Sequence, residues 1–427
     1  MGRNNKIEYI IQYIEVKDMS KKRAITIMVI LLLVTNIVTF GVTNKVTIKY
    51  KDRVVIPAVE YEQLTSAYKK YSKAMGLESY VKDYFLKEVD EEKLVEGQLK
   101  GMFQALEDPY SVYMTQEEFK DFTEHTKGVY GGIGVIVTPG EDNLITVVAP
   151  IEDTPGERAG LKTGDKIIKV EGQEFTADNM DKAVKLMKGK PNTKVSITIL
   201  RKDKDGKNNY MDVDIVREEI RLVTVKSDVI EDNIGYMKIT SFDELTYEDF
   251  KKDLNSLMNQ KVSGIILDLR YNPGGLLDIC VDIADEFLDE GVVVYTETRS
   301  GERTYERSSN KHTDIPLVVL VNEGSASASE ILAGAVKDRN RGVLIGNKTF
   351  GKGVVQRIRQ LSDGSGFKLT VSEYFTPNGT NIHGIGIEPD IIVDLPEDVE
   401  EIGIENLDQD IQLQAAIKKM KEIIGEN

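Results

Sequence analysis

Four regimes of hydrophobic and polar positions follow one another along the chain. Residues 24–42 carry no charge, and at about 1.5 Å per residue such a stretch just crosses a hydrocarbon core of about 30 Å. Thr35, Asn36 and Thr39 weaken its far half. Over 57–107 the apolar positions step by three and four, as in Leu94, Val95, Gln98, Leu99, Met102, Phe103 and Leu106, which predicts helices ended by Asp108-Pro109. Over 128–217 short alternating runs take over, with Ile133–Val137, Leu144–Val148, Ile167–Val170 and Val195/Ile197/Ile199 as strands. A turn at Glu171-Gly172, a hairpin at Asp205-Gly206 and one amphipathic helix on Met180, Ala183, Val184 and Met187 complete a unit of five or six strands. Over 230–395 the strands become continuous: Gly264–Leu267, Val292–Tyr295, Leu317–Val321 and Val343–Ile345. Helical stretches separate them, one with Cys280, Ile283, Ala284 and Phe287 on a face. Unalternating strands between helices predict a largely parallel sheet covered on both sides.

Composition narrows the chemistry. The 427 residues carry a net charge of −16, which argues against a nucleic-acid surface, because phosphate contacts need a basic face. A lone cysteine, Cys280, excludes an intrachain disulfide, and three scattered histidines make a metal site unexpected; no metal or cofactor is called for. Lys21-Lys22-Arg23 precedes the apolar span while only Lys45 and Lys49 follow it closely. The positive-inside bias therefore predicts a membrane anchor with a cytoplasmic N-terminus and the remainder outside the cytoplasm. A cleaved signal peptide and a buried soluble helix are the alternatives; the absence of an Ala-x-Ala box favours the anchor.

In a parallel sheet ligands sit where strands end and helices begin, and two such turns carry chemistry. Asp268-Leu-Arg-Tyr-Asn-Pro-Gly-Gly275 follows a buried strand, and its adjacent glycines allow positive φ and present N–H groups to an oxyanion, or simply make a tight turn. Asn322–Glu330 holds Ser325, Ser327 and Ser329 before a helix, where any of them serves equally as a cap or as a hydroxyl at the positive end of the dipole. A serine nucleophile needs a base. No histidine stands out as its companion, and a lysine substitutes only if burial brings its pKa down from about 10.4 toward 7–8. Lys352, between Gly351 and Gly353 after the Val343–Ile345 strand, is the candidate; an exposed loop lysine is the plain alternative. The run Gly346–Gly353 approaches a phosphate-binding loop but ends in Gly353 where a hydroxyl is needed, and is rejected.

Taken in order, Gly101–Ser111, Gly131-Gly-Ile-Gly134, Ala159–Asp165, Asp268–Gly275, Gly324–Glu330 and Phe350–Gln356 resemble the carboxyl-terminal processing peptidases of serine peptidase family S41. The resemblance implies an α/β protease core, with a mixed, largely parallel sheet and helices, plus an inserted β-rich PDZ domain and helical N- and C-terminal arms. The implied division is a basic tail at 1–23, an anchor at 24–42, a helical arm at 43–111, the PDZ domain at 112–217, the protease core at 218–395 and a helical segment at 396–427. It implies Ser327 as nucleophile, Lys352 as general base, Gln356 as the residue holding the lysine, and an oxyanion hole from the N–H groups of Ala328 and one of Gly274 and Gly275, with Gly275 preferred. Gly132, Ile133, Gly134 and Val135 are the implied edge on which a protein's apolar C-terminal tail adds as a strand. The helical segments at 57–107 and 396–427 offer surfaces for a homodimer, as in related proteases. The reading of a different class is a peptide-binding scaffold that docks tails without cutting.

Overall fold

The computed structural model describes residues 21–43, 48–50, 53–202, 207–396 and 402–425. Most of the expected basic tail and the Asp205-Gly206 turn lie outside the described residues. The chain divides into two units between Gly97 and Gln98.

In the first unit α1 (Lys21–Thr43) is long and apolar enough to cross a membrane, and none of its span is buried. A short hairpin, β1 (Ile48–Tyr50) and β2 (Arg53–Val55), leads to α2 (Ala58–Tyr84), which has no buried residue. The helix α3 (Glu91–Gln104) begins after Asp90, whose carboxylate accepts the Lys93 N–H as a cap.

The second unit starts with β3 (Val112–Met114) and α4 (Gln116–Thr126), the latter opened by a Thr115/Glu118 capping box. An inserted unit follows, entered by β4 (Val129–Gly132) and left by β11 (Glu218–Arg221), which pair with each other. Between them lie β5 (Val135–Pro139), β6 (Ile145–Pro150), the turn α5 (Pro155–Arg158), β7 (Lys166–Val170), β8 (Gln173–Glu174), α6 (Met180–Met187), β9 (Lys194–Lys202) and β10 (Asn208–Val216). The strands form an antiparallel sheet in the order β10-β9-β7-β6-β5, with β8 on β7. Alternation does what the sequence predicts: Val195, Ile197 and Ile199 point into one core with Ile145, Ile167 and Ala183. β5 and β10 stand at the two edges of this sheet.

The remaining chain builds the larger core. One sheet runs β12 (Val225–Ile230), β13 (Ile234–Ile239), β14 (Gly264–Asp268), β17 (Leu317–Val321), β18 (Val343–Gly346) and β21 (Ile391–Ile392), parallel from β13 onward. Every residue of β14 and β17 is buried because both faces are covered. On one face lie α7 (Thr246–Asn259), α8 (Leu277–Asp285) and α9 (Ala328–Asp338), which contribute Leu254, Ile283 and Leu332. On the other lies α10 (Ile411–Gly425), with Leu413, Ala416 and Met420 against Ile266, Val318 and Leu320. A second, antiparallel sheet orders β16 (Arg303–Ser308), β15 (Gly291–Thr298), β20 (Gly366–Phe375) and β19 (Val354–Gln360), with β3 added on β20. The run Val292–Tyr295, expected in the parallel sheet, therefore belongs to this one. Its central residues are buried without alternation, the same signal a parallel strand gives, so periodicity alone did not separate the two cases.

Candidate active site

Three loops at the carboxyl ends of β14, β17 and β18 converge. The first, 268–275, is held from below by an ionic cluster with no solvent exposure: Arg270 donates to both oxygens of Asp268 and both of Asp410, and Tyr236 donates to Asp268. Asn272 then pins the loop by donating to the Ile239 carbonyl and accepting the Gly274 N–H at 2.8 Å. Gly274 has φ +100°, and a Cβ there would stand 2.8 Å from the Ser327 Cβ and 2.9 Å from the Ala328 nitrogen. Only glycine lets the two loops approach this closely.

The second loop separates the three serines. Ser325 is buried and donates to the Leu269 carbonyl at 2.8 Å; Ser329 is buried and donates to the Asn272 carbonyl at 2.9 Å. Both hydroxyls tie the second loop to the first. Ser327 alone of the three lines the open cleft. It sits immediately before α9 with φ +54° and ψ −115°, a conformation costing a non-glycine residue about 1–3 kcal/mol. Like other strand-to-helix elbows, this one puts the side chain out of the helix and in front of its free N–H groups.

The third loop brings Lys352. Glu330, fully buried in the first turn of α9, fastens it to Ser327. One oxygen accepts the Ser327 N–H at 2.9 Å and the Lys352 N–H at 2.8 Å; the other accepts the Thr349 hydroxyl at 2.6 Å and the Gly351 N–H at 2.7 Å. The Tyr374 phenol adds a second tie, donating to the carbonyls of both Ser327 and Lys352. Burial holds that phenol well above its usual pKa and therefore protonated. The sequence reading assigned Glu330 no role, although Ser327-x-x-Glu330 spells a capping box.

These elements enclose a cleft of about 400 Å³ whose walls include Gly274, Gly275, Ser327, Ala328, Lys352 and Gln356. The Gly274 N–H is taken by Asn272. The N–H groups of Gly275 and Ala328 have no hydrogen-bond acceptor among the described residues. The Lys352 amine is half-buried, and desolvation, reinforced by the Lys368 ammonium, lowers its pKa, while Asp108 and Glu330 oppose the shift. Its Nζ lies over the Tyr110 ring, 4.8 Å from the centroid, and makes no hydrogen bond to Ser327. Gln356 donates to the Val354 carbonyl at 3.3 Å and makes no bond to Lys352. The structure thus brings the Ser327 hydroxyl, the Lys352 amine and the Gln356 amide into one cavity without linking them. Two neighbours the sequence did not suggest also face it: His125 and Phe122 of α4. His383 packs edge-on to Tyr110 at 6.4 Å.

In the inserted unit a groove runs between β5 and α6, walled by Ile133, Gly134, Val135, Val137, Val184 and Met187. Gly132 is not part of it, a departure from the expected edge. Its backbone is already paired with Glu218 of β11, so it has no free edge to offer. The carbonyls of Ile133 and Gly134 accept the Gly156 and Ile151 N–H groups.

The sequence profile of Peptidase family S41 matches residues 233–393, that of a PDZ domain matches 146–201, and that of the activating protease CtpB N-terminal domain matches 32–118. A carboxy-terminal-processing protease of Bartonella bacilliformis is 41% identical over 339 residues, covering 78% of this chain and 76% of that one. The carboxy-terminal processing protease CtpA of Bacillus subtilis is 39% identical over 330 residues, covering 77% and 70%. Among solved structures, an S41 protease from Bacteroides fragilis shares the fold with a TM-score of 0.51 at 17% identity, over 81% of this chain and 97% of that one. The chain belongs to peptidase family S41 and is a serine-type carboxy-terminal processing peptidase with a PDZ domain.

Proposed function

We propose that Ser327 and Lys352 form a catalytic dyad. The observation that carries this is the pairing of one exposed-side serine at a strained helix start with one half-buried, pKa-lowered amine in a single cleft. In the proposed reaction the neutral amine swings from Tyr110 to the Ser327 hydroxyl, and Gln356 turns its amide oxygen to hold it. Lys352 Nζ takes the proton as Oγ attacks the scissile carbonyl, and the developing oxyanion is received by the N–H groups of Gly275 and Ala328. The ammonium then returns the proton to the departing amine. Water attacks the acyl-enzyme carbonyl, giving a proton to the same Nζ, and the freed serine takes it back as the new carboxylate leaves.

The substrates we propose are proteins with apolar C-terminal tails, because the β5–α6 groove is walled by Val135, Val137, Val184 and Met187 beside an open strand edge. We place the PDZ domain within the expected 112–217, in the insertion between the paired β4 and β11, and the protease core in the expected 218–395 together with β3 and α4, which join its second sheet and its cleft. We further read α1 as a membrane anchor with the catalytic domain outside the cytoplasm, on its apolar length and the Lys21-Lys22-Arg23 flank. The test is a peptide with an apolar tail incubated with the wild type, Ser327→Ala and Lys352→Arg. The wild type should cut it, and both variants should lose activity, because an arginine stays charged at any accessible pH. Turnover by Lys352→Arg at the wild-type rate would refute the dyad, and cleavage by none of the three would favour the scaffold.

A further inference from the structure

A second ammonium stands in the cleft beside Lys352. Lys368 lies on β20, opposite Ile358 of β19 and Val112 of β3 in the sheet register. Its side chain lines the same cavity as Ser327. The Nζ sits over the Phe122 ring at 5.2 Å from the centroid, and among the described residues it forms no ion pair and no hydrogen bond with any carboxylate. The one carboxylate on the cavity wall, Asp243, is almost fully buried, and its Oδ1 is engaged by Thr246 and the Leu245 N–H. Its Oδ2 is buried and has no hydrogen-bond partner among the described residues. With Lys352 uncharged, as its proposed role requires, Lys368 and Asp243 face the same mostly apolar cavity, and no ion pair joins the two.

A half-buried ammonium with only an aromatic face for company has an unmet demand for an anion. The demand is met by whatever fills the cleft. We infer that Lys368 is a specificity-determining residue that binds a substrate carboxylate next to the scissile bond. This rests on the reading of the Ser327/Lys352 cleft as the catalytic one. The carboxylate has two sources: the free α-carboxylate at the end of the tail, when the cut falls close to it, or an aspartate or glutamate side chain flanking the bond. Lys352 cannot take this role, since its own function requires it uncharged. The Phe122 ring under the Lys368 Nζ and Ile358, its register neighbour on β19, give this end of the cavity an apolar character in which a charged contact is stronger than in bulk water.

The full-length protein in detergent is assayed with peptides of one sequence in two paired arms: free acid against C-terminal amide, and glutamate against glutamine beside the scissile bond. The enzymes are the wild type, Lys368→Gln, Lys368→Glu and Ser327→Ala. In one arm the wild type should favour the anionic peptide in kcat/KM, and Lys368→Gln should shrink that ratio by roughly tenfold or more, the usual worth of a charge-assisted contact. Lys368→Glu should invert it. The arm that responds identifies the source. Because all variants carry the same PDZ groove, any preference of that groove for a free chain end cancels in the comparison, as does any general effect on the Lys352 amine. Ratios equal in wild type and Lys368→Gln in both arms would overturn the inference while leaving the dyad standing. Wild-type activity no higher than that of Ser327→Ala would instead remove the reading beneath it.

Discussion

Glu330 is the most consequential residue that touches no substrate, and Glu330→Gln measures its worth. The carboxylate accepts four donors within 2.9 Å, two on each oxygen. A glutamine offers one acceptor oxygen, so its amide must be turned one way or the other. With the oxygen toward Ser327 and Lys352, the NH₂ group faces the Gly351 N–H and the Thr349 hydroxyl. That hydroxyl can rotate to accept, since it already accepts the Ile387 N–H, but the Gly351 N–H is orphaned. The opposite orientation orphans two N–H groups, so the first is favoured. One buried unsatisfied donor costs about 1–3 kcal/mol. The two surviving bonds fall from charge-assisted to neutral strength, roughly halving each, for a further ~1–2 kcal/mol. The sum, about 2–5 kcal/mol, should lower the melting transition of the protease core by roughly 4–20 °C in scanning calorimetry. Losing the strap between the Ser327 and Lys352 loops should lower kcat/KM by roughly 10²-fold, the usual result of misplacing a reacting group by 1 Å. A third readout moves separately: the Glu330 charge raises the Lys352 pKa, so its removal should shift the ascending limb of the pH–rate profile to lower pH. A variant with wild-type melting and kcat/KM within twofold of wild type would show that the four contacts hold nothing together.

Three further outcomes follow from the same geometry. Lys352→Met should be inactive yet more stable at neutral pH. The folded amine has a pKa below its ordinary 10.5, so burial penalises folding fully below the folded value, and stability rises with pH from there to 10.5 as the unfolded chain holds the extra proton. The gain from methionine should therefore shrink as pH approaches 10.5, and a gain unchanged between pH 6 and 10 in urea titrations would contradict the assignment. Asp410→Ala strips Arg270 of one of its two carboxylate partners with no solvent to replace it, a change that typically costs about 3–5 kcal/mol; urea midpoints should fall accordingly, with activity falling too as the 268–275 loop loosens. Val184→Asp puts a charge on the groove wall and should weaken binding of a fluorescent apolar tail at least roughly tenfold, while leaving the melting of the protease core alone.

What the sequence disclosed and what it withheld divide along physical lines. The β14 and β17 runs were legible because strands buried on both faces contain nothing but apolar side chains. The loops after them were legible as places to look, because adjacent glycines at 274 and 275 follow a buried strand, although a plain tight turn explains the same letters. Ser325, Ser327 and Ser329 were indistinguishable as letters; only the carbonyls of Leu269 and Asn272, supplied by a loop more than 50 positions earlier, sort the two tethering hydroxyls from the one that faces the cleft. Lys368 carried no signal at all, since a lysine on an alternating strand ordinarily points to water. Its place in the cavity depends on α4, whose Phe122 arrives from 246 positions earlier. The Asp268–Arg270–Asp410 cluster joins positions 140 residues apart, and nothing local to Asp410 marks it as different from the acidic residues around it.

The backbone at Ser327 has a practical corollary for anyone wishing to capture a substrate. Its left-handed φ of +54° belongs to the fold and not to the hydroxyl, so an alanine knock-out inherits the strain in full. A glycine in that position removes the proposed nucleophile and relaxes the main chain together. Of the two dead enzymes, the glycine form should be the hardier trap, surviving warmer and longer incubations with a tethered tail than its alanine counterpart.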